Sequence, residues 1–278
     1  MKPPPFEYVR ANSLEEALAA LAEGGEDAKP IAGGQSLVPA LAMRLVRPSL
    51  LVDLNRAGLD GITANGTLRL GAMVRQAALA TDERVHPLVR AALPYVGHSV
   101  TRNRGTVGGS IAHADGAAEL PLCLLALDGS VVVERAGGRR EIPAREFFVT
   151  HYLTTLEPGE LVVETTWPLV RPDATSAFVE SALRTGDFAL SMVAVVLRRD
   201  DAGVVTDASV AVGAVTDKPT RLEDVEALIV GSSGGDAAAE AGALAARLVD
   251  PLGSHHASGP YLRELTGTLV ARAIAKAS

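Results

Sequence analysis

Two glycine-rich stretches, far apart in the chain, carry residue types that can hold an anion without a basic side chain. The first is Ala32-Gly33-Gly34-Gln35-Ser36-Leu37; the second is Thr106-Val107-Gly108-Gly109-Ser110-Ile111-Ala112-His113-Ala114-Asp115. Paired glycines permit positive φ and let a ligand come close to the main chain. A small-residue turn that opens a helix leaves backbone N–H groups free to face an anion. Each stretch follows a segment that reads as extended and leads toward an apolar run that reads as helical. Two such turns suit a long ligand with two phosphates, which points to a dinucleotide. Neither has the G-x-G-x-x-G spacing of the doubly wound dinucleotide fold, and no G-x-x-x-x-G-K-[ST] phosphate loop occurs.

The elements that must position these turns are legible in outline. With 278 residues the chain has room for two domains, and 47% hydrophobic against 21% charged residues gives a packed core. Net charge is −7, with no block of Lys and Arg, which argues against a nucleic-acid surface and makes any phosphate recognition local. The single cysteine, Cys123, excludes a disulfide framework and a cysteine-ligated iron–sulfur cluster within the chain. Its surroundings, Leu120 to Leu127, suit a buried small hydrophobe and are too short to span a bilayer. Met1-Lys2-Pro3-Pro4-Pro5 lacks the apolar core of a signal peptide, so the cytosol is the expected compartment.

Phe6–Arg10 reads as a strand. Ser13-Leu14-Glu15-Glu16 is a capping box for a helix that ends at Gly24-Gly25. A strand at Lys29–Ala32, a helix from Val38 to Leu45 and a strand at Leu50–Leu54 complete a β-α-β-α-β unit. Asn65-Gly66 between alternating residues marks a hairpin. Helices follow around Gln76–Ala80 and Pro87–Val96, then strands at Ser130–Glu134 and Glu160–Trp167. Pro168 to Pro172 reads as a boundary. Beyond it, strands at Met192–Leu197 and Ala208–Val215 form a meander, followed by helices at Leu222–Val230, Asp236–Val249 and Tyr261–Ala277.

The second stretch, extended to Thr101-Arg102-Asn103-Arg104-Gly105 before it and Gly116-Ala117-Ala118-Glu119-Leu120-Pro121 after it, closely resembles the FAD signature of the medium subunits of molybdenum hydroxylases. That family includes the flavoprotein subunit of aerobic carbon monoxide dehydrogenase and the flavin domain of xanthine dehydrogenase. The first stretch resembles the family's other FAD motif. Arg184-Thr185-Gly186-Asp187-Phe188-Ala189 is similar to the motif that opens its C-terminal domain, and Tyr261 to Ala273 to its last helix. The resemblance implies an α+β chain: a two-subdomain FAD-binding fold of the vanillyl-alcohol-oxidase (PCMH) type over residues 1–168, divided near 56, and a smaller α+β domain over 169–278 with an antiparallel sheet and helices. It implies FAD on this chain, and a molybdenum cofactor and two [2Fe–2S] clusters on a large and a small partner subunit. It further implies a place in the cytosol, or at the inner face of the membrane by way of the complex.

By the same resemblance, Ala32 to Leu37 give N–H groups to the FAD pyrophosphate. Thr106, Gly109 and Ser110 line the flavin side within the run that continues through Ile111, Ala112, His113 and Ala114. Asp115 and Glu119 accept from ribityl or ribose hydroxyls, and Leu161 lies against the flavin or adenine. No catalytic acid, base or nucleophile and no metal ligand is expected. Many family members have proline where this chain has Gly116, which would loosen the loop. His255-His256 reads as loop, and Arg139-Arg140 as a hairpin tip. Arg102, Asn103 and Arg104 are either ordinary loop residues or part of a docking face. A stand-alone flavoenzyme of the same superfamily, which would need a substrate-facing acid or base, and a partner-binding scaffold without FAD are the alternatives.

Overall fold

The computed structural model describes residues 2–278. Its first unit runs β1 (Glu7–Arg10), α1 (Leu14–Gly24), β2 (Ala28–Ile31), α2 (Leu37–Ala42) and β3 (Leu50–Asp53). The three strands are parallel with β3 in the centre. At the start of α1 the Ser13 hydroxyl accepts the Glu16 N–H at 3.2 Å, and the Glu16 carboxylate accepts the Asn12 N–H at 2.8 Å. The reciprocal bond of the capping box thus falls one residue before the cap itself. Gly25, at φ 59°, stops the helix. Ala17, Leu18 and Leu21 share one face of α1 and pack with Val52, Leu54 and, from the next unit, Met73, Val132, Leu161 and Val163.

The second unit opens with the hairpin β4 (Ile62–Asn65) and β5 (Thr67–Gly71), turned at Gly66 with φ 71°. Five short helices follow: α3 (Gln76–Leu79), α4 (Pro87–Ala92), α5 (Ser99–Arg104), α6 (Val107–His113) and α7 (Glu119–Ala126). Then come β6 (Ser130–Arg135), β7 (Gly138–Pro143), α8 (Ala144–Phe147), β8 (Phe148–Thr150), β9 (Leu153–Thr154) and β10 (Leu161–Pro168). β10 is the middle strand of an antiparallel sheet ordered β4-β5-β10-β6-β7. It is covered on both faces: Leu161 and Val163 meet the first unit, while Val162 meets the helices. Every residue of α7 is buried. Cys123 within it behaves as a small hydrophobe, its thiol pushed up by burial. Arg139 and Arg140 lie inside β7 and not at the tip, and Arg140 holds Glu160 through two bonds of 2.7 Å.

The third unit is a meander of β11 (Ala174–Ala182), β12 (Ala189–Arg199), β13 (Val205–Gly213) and β14 (Thr220–Arg221), then α9 (Glu223–Ile229), α10 (Ala238–Leu248) and α11 (Gly259–Ala277). Alternation along β12 divides its side chains between two cores. Met192 and Ala194 pack into the core built around α7, and Val193, Val195 and Leu197 pack against the three C-terminal helices. This sheet is therefore clamped to the second unit, and its β11–β12 turn is carried over the site described next. Among the described residues no helix is long and apolar enough to cross a membrane.

Candidate functional site

The three units meet around an open cleft of about 520 Å³. One wall is the Ala32–Leu37 turn of the first unit. The opposite wall is α6 with the start of α7, and the tip Gly186-Asp187-Phe188 of the β11–β12 hairpin reaches in from the third. The volume and the mix of apolar walls with a few convergent polar groups are those of a cofactor site.

The first wall is held against the second by close backbone contact. A Cβ on Gly33 would lie 2.3 Å from the Arg104 carbonyl oxygen, so no larger residue fits there unless the turn shifts. Gly34 takes φ 73°. The Arg75 guanidinium ties the two walls together, donating to the Arg104 carbonyl and to Asn55 Oδ1, and Asn55 in turn donates to the Ala32 carbonyl at 3.4 Å. Among the described residues, none of the N–H groups from Ala32 to Leu37 donates to a protein acceptor. A run of free donors beside a glycine pair is a ready-made anion cradle.

The second wall differs from expectation. Gly108 and Gly109 are not a turn but the first turn of α6, whose N-cap is Thr106. Their N–H groups already have partners: Val107 donates to the Val74 carbonyl, Gly108 to the Ala72 carbonyl, Gly109 to Thr106 Oγ1 at 3.1 Å, and Ser110 to the Thr106 carbonyl. The run of free N–H groups is thus in the first stretch, and the N–H groups of the second glycine pair are already used within the protein. The glycines serve approach: a Cβ on Gly108 would lie 2.4 Å from the Ala72 Cβ, and one on Gly109 2.6 Å from Thr106 Oγ1.

Ala32, Gly33, Gly34, Gln35, Ser36, Leu37, Thr106, Gly109, Ser110, Ala112, His113, Asp115, Glu119 and Leu161 all line the cleft. Ile111 and Ala114 do not. Ile111 is fully buried in the core behind α6, and Ala114, at φ 50°, closes that helix from within the core. The Thr106 hydroxyl is committed as a cap acceptor and keeps its proton for donation, whereas Ser110 makes no side-chain bond within the protein. Asp115 accepts the Ala117 N–H at 2.9 Å and the Tyr152 hydroxyl at 3.2 Å. Burial holds the His113 imidazole below its usual range; its ring lies 4.7 Å from that of Tyr152. Burial, reinforced by the Asp115 charge, pushes Glu119 up to about 7. Burial and the neighbouring Glu119 push Glu180, on β11, up to about 8.

Gln76 is a site residue that sequence reasoning missed. It is 5% exposed, lines the cleft, and its Oε1 has no hydrogen-bond partner. A buried amide oxygen left unpaired in a cleft is what a bound ligand would satisfy. Lys29, Thr101 and Phe188 also line the cleft; the quoted Arg184–Ala189 motif was the only sign of the last. Two further expectations change. Arg102 is not a free docking residue, because it donates to the carbonyls of Val96 and Gly97 at 3.0 and 2.9 Å. Gly116 does not loosen its loop: its N–H donates to His151 Nδ1 at 3.3 Å and its carbonyl accepts from Ala214 at 2.8 Å. Proline would have no N–H to give. Among the described residues no group of three or more His, Cys, Asp or Glu could hold a metal.

The cleft therefore combines an anion cradle, hydroxyls and carboxyls that suit a polyol, and apolar walls at both ends. That donor set fits FAD. Comparison with known proteins agrees. Residues 4–170 match the model for the FAD-binding domain in molybdopterin dehydrogenase, and residues 176–277 match the carbon monoxide dehydrogenase flavoprotein C-terminal domain. The chain is 43% identical to the 6-hydroxypseudooxynicotine dehydrogenase complex subunit alpha of Paenarthrobacter nicotinovorans, over 100% of this chain and 96% of that protein. It is 34% identical to the carbon monoxide dehydrogenase medium chain of Hydrogenophaga pseudoflava, over 99% and 97%. In structure it superposes on a chain of quinoline 2-oxidoreductase from Pseudomonas putida 86 with a TM-score of 0.94 at 38% identity, covering 100% of this chain and 98% of that one. The chain belongs to the FAD-binding medium subunits of the molybdenum hydroxylases.

Proposed function

We propose that this chain relays electrons, taking them from [2Fe–2S] clusters of a small partner subunit and passing them through FAD to an external acceptor, while a large subunit with a molybdenum cofactor transforms the substrate. The observation that carries the reading is the cleft itself: a cradle for a cofactor, in a chain whose single cysteine, the buried Cys123, is too few to ligate a cluster. Its relatives are named for carbon monoxide, quinoline and a nicotine derivative. One flavoprotein fold serving such different substrates supports a division of labour in which the substrate is chosen on another polypeptide.

In this reading FAD supplies the redox chemistry, and the protein supplies position and electrostatics. The free N–H groups of Ala32–Leu37 hold the pyrophosphate. Ser110 and Thr106 donate hydroxyl protons, Asp115 and Glu119 accept from ribityl or ribose hydroxyls, and Leu161 covers one end of the cofactor. A Glu119 poised near neutrality can accept such a bond when ionised and donate one when protonated. Gly186-Asp187-Phe188 lines the cleft mouth from the side of the third unit. The test is to reconstitute the purified chain with FAD. Acid precipitation should release all of the flavin as FAD, and the loaded chain alone should not turn over a hydroxylase substrate. A covalent adduct, FMN, or no flavin at all would refute the cofactor assignment, and substrate turnover by the single chain would make it a stand-alone enzyme.

A further inference from the structure

The Asp115 residue is nine-tenths buried and lines the cofactor cleft, and both of its carboxylate oxygens are held from the protein side. Oδ1 accepts the Ala117 N–H at 2.9 Å, a bond within its own loop. Oδ2 accepts the Tyr152 hydroxyl at 3.2 Å, from 37 residues along the chain. His151 and Tyr152 are the two residues that turn β8 into β9, and neither lines the cleft. Two more bonds dock this turn on the loop after α6. The Tyr152 N–H donates to the Ala114 carbonyl at 2.9 Å, and the Gly116 N–H donates to His151 Nδ1 at 3.3 Å. Ala114 and Tyr152, joined by the first of these, have φ of 50° and 59°. An alanine or an aromatic residue rarely takes that left-handed conformation, which persists only where surrounding contacts over-determine it. The Tyr152 ring supplies some of those contacts, lying 4.7 Å from the His113 ring and 3.9 Å from the His151 ring. Burial and the Asp115 charge push its phenol up, so it remains a donor.

We propose that Tyr152 is a positioning residue for the cofactor: its hydroxyl aims the Asp115 carboxylate at a ribityl or ribose hydroxyl. The inference rests on the proposed function and adds a residue that acts without touching the ligand. A carboxylate offers about four acceptor sites on its two oxygens. One site on each oxygen is taken, by Ala117 and by Tyr152, and those two bonds together set the plane of the group. The remaining sites are left for the cleft. Without the phenol, Oδ1 stays tethered but the carboxylate can turn, and a ligand hydroxyl must then order it on binding, at a cost in affinity. The same role accounts for a tyrosine at a left-handed turn position. Glycine would take that conformation without strain, but it has no hydroxyl to reach Asp115.

The test is a double-mutant cycle on the FAD affinity of the full chain, read by fluorescence titration, with urea denaturation of each apoprotein as the check on folding. Tyr152→Phe removes the hydroxyl and keeps the ring between the two imidazoles. We expect it to bind FAD roughly 3- to 20-fold more weakly, with the urea midpoint of the apoprotein little changed. Asp115→Ser keeps an oxygen for the Ala117 N–H but is too short to meet Tyr152. It should weaken FAD further than Tyr152→Phe does, and adding Tyr152→Phe to it should bring no additional loss, because the hydroxyl then has nothing to aim. Val149→Ala, at an exposed position of the same hairpin, should bind as wild type. Unchanged affinity in Tyr152→Phe would overturn the inference. So would an equal loss from Tyr152→Phe with and without Asp115, which is the mark of a hairpin loosened as a whole. Either result leaves the proposed function standing, whereas failure of the wild-type chain to bind FAD would overturn both.

Discussion

Replacing Glu119 by glutamine should make the FAD-free protein more stable above neutral pH. Glu119 is 9% exposed at the start of α7, and burial raises its carboxyl from the ordinary 4.5 to about 7. In the unfolded chain it titrates normally. Between those two values the folded state holds a proton that the unfolded state has released, so stability from this group is complete below about pH 4.5 and is lost as pH rises to about 7. Each unit of separation corresponds to about 1.4 kcal/mol, so the loss is about 3 kcal/mol at its largest. Glutamine has nearly the same shape and no charge to bury. The assay is urea denaturation of the apoprotein at pH 5, 6, 7 and 8. Wild type should weaken steadily across that series. Glu119→Gln should match it within about 1 kcal/mol at pH 5 and exceed it by about 2 kcal/mol or more at pH 8. Parallel profiles for the two proteins would refute the argument, because the pH dependence would then come from elsewhere. The neighbouring Glu180, raised to about 8 by burial and by the Glu119 charge, extends the wild-type decline to higher pH, and only its burial-driven part should remain in the Glu119→Gln profile.

Two other substitutions test the walls of the cleft. Gly33→Ala sets a methyl group against the Arg104 carbonyl and should part the two walls, weakening FAD binding at least tenfold in a fluorescence titration while the apoprotein stays folded; unchanged affinity would show that the close approach is not needed. Gln76→Leu removes an unpaired buried amide, so it should leave the apoprotein as stable or more so, yet weaken FAD by about 5- to 100-fold, the range for one hydrogen bond in a closed site. A loss of apoprotein stability with FAD affinity intact would make Gln76 a purely structural residue.

What the sequence disclosed was what local chemistry controls. The Ser13 cap, the Asn65-Gly66 hairpin, the parallel first unit and the C-terminal meander each follow from residue types a few positions apart. What it concealed depends on distant contacts. Gly108-Gly109 resembles a turn because glycine is a poor helix former, yet Val107 and Gly108 are bonded to Val74 and Ala72, and that packing overrides propensity. α5 has six residues and no buried one, so no apolar stripe marks it. β11 is rich in alanine and serine, and is a strand because it pairs along nearly its whole length with β12. Ile111 and Ala114 belong to a motif that faces the cleft, but the pitch of α6 turns them to the core. Gln76 carried no signal at all, since its importance lies in an unpaired oxygen visible only once Gly105 is folded against it.

The most direct test of the relay is rapid mixing of the FAD-loaded chain, without oxygen, with its iron–sulfur subunit in the reduced state. The visible absorbance of the oxidised flavin should bleach as the cluster signal reoxidises, with the same rate for both. The same loss of cluster electrons without flavin bleaching, or no transfer despite a formed complex, would contradict an electron-relay role for this chain.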